Sequence, residues 1–159
     1  MYKRVVVALD GSAVAEAVMP FILDIAGPLD MEVILARVIV PPEPLIVEGS
    51  VQLAVEDPAE ARVDAEEYLA ALAAELRGKG VRTHTEVRTG RHPADEIVGM
   101  ARDAGADLIA MTTHGRSGLG RLLFGSVAEA VLRESKLPVL LLRVTEAQVQ
   151  QRAMQAAAR

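Results

Sequence analysis

Five short apolar runs separated by segments of helical period predict an α/β protein: a single doubly wound, five-stranded parallel sheet with helices on both faces. Three observations carry that expectation. The runs are rich in Val, Leu and Ile and mostly continuous, as in strands buried on both faces. Runs and helices alternate as β-α-β-α-β-α-β-α-β, an order that right-handed crossovers wind into a parallel sheet. The length of 159 residues, 51% of them hydrophobic and 3% aromatic, suits one compact domain with an aliphatic core.

The strands are expected at Arg4 to Leu9, Glu32 to Val38, Val81 to Val87, Leu108 to Met111 and Pro138 to Val144. Between the first two, Val14, Val18, Phe21, Ile22 and Ile25 recur at helical spacing and Gly27-Pro28 ends the segment. Pro20 lies inside it, and an interior proline costs about 3 kcal/mol in a regular helix, so a kink or a late start is expected there. The second helix has Asp57 as its cap, Pro58 at its first position, and Ala61, Ala65, Leu69, Leu72 and Leu76 on one face; Gly78 and Gly80 stop it. The third opens at Pro93 with Asp95 and Glu96 in its positive first turn, buries Ile97, Val98 and Ala101, and closes at Gly105. The fourth starts at Ser126, with Glu129 three residues on completing a capping box, and runs through Val131 and Leu132 toward Pro138.

Two segments fall outside this frame. Residues 41–57, with Pro41, Pro42 and Pro44 around Leu45-Ile46-Val47, form a long connection, either a lid or a partner surface. Residues 145–159, rich in Ala, Gln and Arg, form either a docked terminal helix or a frayed tail beyond a domain spanning 1–144.

Composition narrows the function. A net charge of −5 argues against nucleic acid as partner, because a polyanion needs clustered Lys and Arg. The absence of cysteine removes disulfides, thiol catalysis and cysteine-ligated metal. No apolar run approaches the roughly 18 residues of a membrane span, and Asp10 cuts the first run far below signal-peptide length. A cytoplasmic protein with no membrane partner is expected.

Ligands of open parallel sheets bind beyond the carboxyl ends of the strands, so the residues there carry the functional reading. After the first strand comes Asp10-Gly11-Ser12, a carboxylate able to accept from a sugar or base, a glycine permitting close approach and a serine able to cap the next helix. The same residue types serve an ordinary βα turn. After the fourth strand, Gly115, Gly118 and Gly120 lead to Gly125-Ser126 at a helix N-terminus, where unpaired amides and the helix dipole favour phosphate. Arg116 and Arg121 would add forked donors suited to phosphate oxygens; the alternative is a glycine-rich surface turn. His114 has no second histidine at ligand spacing, so a turn or backbone role is favoured over metal or catalysis. There is no Walker segment, no Gly-x-Gly-x-x-Gly after the first strand and no Gly-x-Ser-x-Gly elbow.

From Val5 to about Val144 the chain resembles the universal stress protein family. The residues that carry the likeness are Asp10-Gly11-Ser12, the second strand ending near Val38, Thr113-His114-Gly115-Arg116-Ser117-Gly118, Gly125-Ser126-Val127-Ala128-Glu129 and Leu137-Pro138-Val139-Leu140. The ATP-binding branch of that family carries Gly-x-x-Gly, nine residues, then Gly-Ser or Gly-Thr; here Gly115, nine intervening residues and Gly125-Ser126 match, while Thr112 stands in place of the first glycine. The resemblance implies an adenine-nucleotide α-hydrolase-like fold. It places Asp10 on the ribose or adenine with Ala8, Leu9 and Ser12 nearby, the Val38 backbone on the adenine edge and Met111 against the base. Thr113, His114 and Gly115 would follow the ribose and α-phosphate, and Gly125, Ser126 and Val127 the outer phosphates. The ligand would be ATP, with ADP or AMP as alternatives, and Mg²⁺ or Mn²⁺ held mainly by the phosphates. The family pattern further implies a homodimer through the last strand, Pro138 to Val144, and a stress-response regulator with little or slow hydrolysis. A dimeric adaptor without nucleotide and a slow ATPase are the alternatives.

Overall fold

A computed structural model describes residues 1–42, 45–47, 50–52, 57–114 and 125–144, with Gln150 and Met154; at 45–47, 50–52 and 114 it describes the backbone alone. Five parallel strands form the central sheet: β1 (Arg4–Leu9), β2 (Glu32–Ile39), β5 (Thr83–Thr89), β6 (Leu108–His114) and β7 (Val139–Val144), in spatial order β5-β2-β1-β6-β7. The expected doubly wound α/β architecture is therefore the observed one. The strand order reverses between β1 and β6, the place where such sheets open a crevice.

Strand parity decides which face each residue serves. Val5, Val7 and Leu9 of β1 and Val33 and Leu35 of β2 pack with Val18, Ile22, Leu69, Ala73 and Leu76 on one side. Val6, Ile34, Ala36, Ile109 and Met111 pack with Ile97, Met100, Ala101, Ala128 and Val131 on the other. Burying each of the larger aliphatic chains contributes about 1.5–3 kcal/mol, and the two layers need nearly unbroken apolar strands to supply both.

The first helical segment starts late, as Pro20 requires: a 3₁₀ turn (Ala15–Val18) precedes α1 (Met19–Ala26), which places Pro20 in the first turn where no amide bond is lost. Phe21 departs from its expected place on the apolar face and is 49% exposed. Ile22 and Ala26 take that face, and Phe21 lies about 100° away from Ile22 around the helix. The helix α2 (Pro58–Gly78) is capped by Asp57, whose Oδ1 accepts from the Ala59 amide at 2.9 Å. After it, Val81 donates to Leu76 O in a closing turn, so the third sheet strand begins at Thr83 and not at Val81. The helix α3 (Pro93–Asp103) carries Asp95 and Glu96 in its first turn.

The structure adds one element to the expected set and corrects one cap. Within the long connection, Leu45–Val47 (β3) and Ser50–Gln52 (β4) pair as an antiparallel hairpin separate from the main sheet. Each strand is only three residues long, too short to stand out among the flanking prolines. The helix α4 (Ser126–Glu134) has Gly125, not Ser126, as its N-cap, and no side-chain capping bond forms. The Gly125 amide is taken instead by Thr113 Oγ1 at 3.3 Å, which fixes the helix start against β6 and leaves Ser126 inside the first turn. The terminal tail beyond Val144 lies outside the described residues apart from Gln150 and Met154.

Candidate functional site

The crevice at the strand-order reversal arises from unequal strand lengths. Pairing of β1 with β2 ends at Leu9↔Arg37, yet β2 continues through Val38 and Ile39. Pairing of β1 with β6 ends at Val7↔Ala110, yet β6 runs on through Met111, Thr112, Thr113 and His114, held by β7 on its other side. A notch therefore opens above β1 between two longer neighbours.

That notch is a cavity of about 380 Å³. Its floor is Ala8, Leu9 and Asp10 at the end of β1; Ala36, Val38 and Val40 form one wall, and Met111, Thr112 and Thr113 the other. Pro93 and Ile97 of α3 and Gly125, Ser126, Val127 and Ala128 at the start of α4 close its third side, with Ala15 beside the floor. Among the described lining residues Asp10 is the one ionisable side chain. The surroundings are aliphatic, which suits a flat apolar ring held by packing and by backbone groups.

The polar contacts of the site are local. Asp10 Oδ1 accepts from the Ser12 amide at 2.9 Å, an Asx turn that bends the chain out of β1. Ser12 Oγ accepts from the Ala15 amide at 3.1 Å and so begins the 3₁₀ turn, while Ser12 itself is not among the cavity's lining residues. Thr113 is buried, and its hydroxyl holds the Gly125 amide. At the start of α4 the first intrahelical donor is the Glu129 amide, bonded to Gly125 O at 2.9 Å, so the amides of Ser126, Val127 and Ala128 precede it, and the helix dipole adds its positive end there.

Gly125 is informative. Its φ of −58° is accessible to any residue, and among the described residues no atom lies within 4 Å of where a Cβ would stand. Neither backbone strain nor described protein packing asks for glycine here, and Gly125 is among the residues that line the cavity.

The sequence-predicted residues Ala8, Leu9, Asp10, Val38, Met111, Thr113, Gly125, Ser126 and Val127 are thus brought together. Gly115, Arg116, Gly118 and Arg121 lie outside the described residues, as does the His114 side chain. Ala36, Val40, Pro93 and Ile97 line the cavity without having been singled out. Parity could have found Ala36, two residues before Val38 on the same face; Pro93 and Ile97 enter only through the packing of α3 against β2. No group of three or more His, Cys, Asp or Glu poised for a metal occurs among the described residues. No helix among them is long and apolar enough to cross a membrane.

Fold and site together define an open parallel α/β protein with a cleft at its topological switch point. The chain belongs to the universal stress protein family, whose model matches residues 1–143. It is 38% identical over 146 residues to universal stress protein MJ0531 of Methanocaldococcus jannaschii, covering 90% of this chain and 83% of that one. Among solved structures, MJ0577 of the same organism superposes with a TM-score of 0.69 at 27% identity, covering 92% of this chain and 99% of that one. A universal stress protein in complex with cAMP superposes with a TM-score of 0.65 at 26% identity, covering 89% of this chain and 97% of that one.

Proposed function

We propose that the chain binds an adenine nucleotide in the notch above β1, with ATP the ligand that uses the whole cleft, and acts as a nucleotide-responsive dimeric regulator. The observation that carries this reading is the notch itself: an aliphatic slot whose polar features are one carboxylate, free strand edges and a helix N-terminus. The base would lie between Val38 and Met111, with the unpaired edge of β2 beyond Arg37 offering backbone groups to it. Asp10 would accept from the ribose or base, and the first-turn amides of α4 would meet phosphate oxygens where Gly125 leaves room. The structural relative bound to cAMP supports the ligand class. Gly115, Arg116, Gly118, Arg121 and His114 would complete the phosphate side, and a divalent cation would be held chiefly by the phosphates.

Binding in preference to turnover is supported by the lining. One carboxylate, with no lysine among the described lining residues, is sparse equipment for phosphoryl transfer, which relies on positioned cations and a general base. Dimerisation through β7 is supported by its edge position and by Leu140 on its exposed side, since an apolar edge strand invites pairing with another chain.

Titration calorimetry of the purified protein with ATP, ADP, AMP and cAMP, with and without Mg²⁺, tests the reading. Saturable one-site binding is expected, and no heat or retained ligand at millimolar nucleotide overturns it. Sedimentation equilibrium tests the dimer, which a Leu140→Lys change in β7 is expected to dissociate.

A further inference from the structure

The turn that carries Asp10 is held from the opposite side of the sheet. Gly11 has a φ of +87°, and a Cβ built on it would stand 3.2 Å from an Arg37 guanidinium nitrogen, so the guanidinium packs directly against the glycine. Arg37 is the residue paired with Leu9 at the last β1–β2 step, and parity turns it away from the cavity that its neighbour Val38 lines. Its guanidinium carbon lies 5.2 Å from the ring centroid of Tyr68 on α2, within the range of a cation–π contact. The Tyr68 hydroxyl is buried. Burial first, then the Glu16 carboxylate and more weakly Asp10, push its phenol up, with the Arg37 guanidinium acting in the opposite direction. Ring, guanidinium and glycine thus form one stack from α2 through β2 to the β1 turn.

We propose that Arg37 is a positioning residue for the cleft: clamped between the Tyr68 ring and Gly11, it fixes the Asp10-Gly11-Ser12 turn and thereby the direction of the Asp10 carboxylate. The ligand side of this inference rests on the nucleotide reading above; the rigidity of the turn does not. A flat, delocalised cation fills this place because it can stack on a ring with one face and meet a backbone with the other, which an ammonium cannot do. Gly11 serves it twice, by adopting the positive φ and by leaving room for the guanidinium.

The test compares Arg37→Met, Arg37→Lys, Tyr68→Leu and Tyr68→Phe in the full chain, each checked for an unchanged melting transition. Backbone ¹⁵N relaxation without ligand is expected to show the Gly11 and Ser12 amides falling from an order parameter near 0.85 to below about 0.6 in Arg37→Met, Arg37→Lys and Tyr68→Leu. Tyr68→Phe keeps the ring and is expected to leave the turn rigid. With ADP or ATP as probe, Arg37→Met is expected to weaken binding at least about tenfold in the wild-type background and less than about twofold when Asp10→Ala is already present. A turn that stays rigid in Arg37→Met, rescue by Arg37→Lys, or an equal loss of affinity in both backgrounds each overturns the proposal. Were the wild type to bind no nucleotide, the nucleotide reading would fall while the relaxation data still decided the clamp.

Discussion

The two ends of the central sheet are built differently. At the amino end, side-chain contacts tie the strands together: Arg4 Nε meets Glu32 Oε2 at 2.5 Å, His84 Nε2 lies 2.7 Å from Glu32 Oε1, and Asp107 Oδ2 accepts from the Lys3 amide at 2.8 Å. These contacts join β1, β2, β5 and the entry to β6 across the sheet. At the carboxyl end the described cavity has a single ionisable residue, a positive-φ glycine turn and a helix start held by one long hydrogen bond to Thr113. At the carboxyl end strand pairing stops early and leaves backbone groups unpaired beside the proposed ligand site; at the amino end side-chain contacts close the gaps. The proposed function thus predicts that stability and ligand recognition separate along the strand direction, so that substitutions can address one without the other.

The largest expected effect belongs to the layer both ends share. Ile109→Ala at the centre of the sheet removes a fully buried side chain and is expected to destabilise by about 2–5 kcal/mol in urea denaturation, through lost burial and the cavity left behind. Next, Gly125→Val fills the space above the α4 start. Calorimetry is expected to show nucleotide affinity at least about 100-fold weaker, while stability falls by no more than about 1 kcal/mol, the cost of a poorer N-cap whose φ still suits a β-branched side chain. Loss of stability with intact binding would erase the division between the ends.

A cap gives a smaller effect at the same end. Asp57→Ala deprives the Ala59 amide of its acceptor and is expected to lower stability by about 1 kcal/mol in chemical denaturation while leaving ligand affinity within about twofold. The smallest effect lies among the ions at the amino end. The hydrogen bond from Arg4 holds the Glu32 carboxyl below its ordinary value of 4.5, outweighing the partial desolvation that opposes it. A lowered folded-state value means that the ionised form contributes stability above about pH 4.5, and that this contribution is lost as pH falls through the lowered value. Glu32→Gln is expected to cost at most about 1 kcal/mol at neutral pH, given the solvent-exposed partners, and to flatten the acid limb of a denaturant-midpoint profile. Nucleotide affinity should be untouched.

Much of the fold was legible because it depends on short-range pattern. Asp57-Pro58 marked the start of α2, and Pro20 forced the late start of α1. The far limit of β6 was not legible from apolar continuity: Thr112 and Thr113 favour strands as β-branched residues, but with His114 they break the apolar run that ends at Met111, and their pairing with Leu142, Arg143 and Val144 of β7 carries the strand on. Capping of α4 was misread for a related reason. Ser126 and Glu129 have the spacing of a capping box, but Gly125 takes the N-cap position, with its amide bonded to Thr113 Oγ1 of β6, and Ser126 falls inside the first turn.

By itself, the sequence determined the layered α/β architecture, the strands' two-faced apolar character and the end of the sheet at which a ligand would be met. Periodicity and punctuation act over a few residues, and the handedness of crossovers does the rest. Only the tertiary structure decided that β1 would stop short of β2 and β6, that Arg37 would cross behind Gly11 onto Tyr68, and that Gly125 at the start of α4 would come to line the notch. Each of those is a difference in length or direction between segments far apart in the chain, and such differences exist only once the segments are packed against one another.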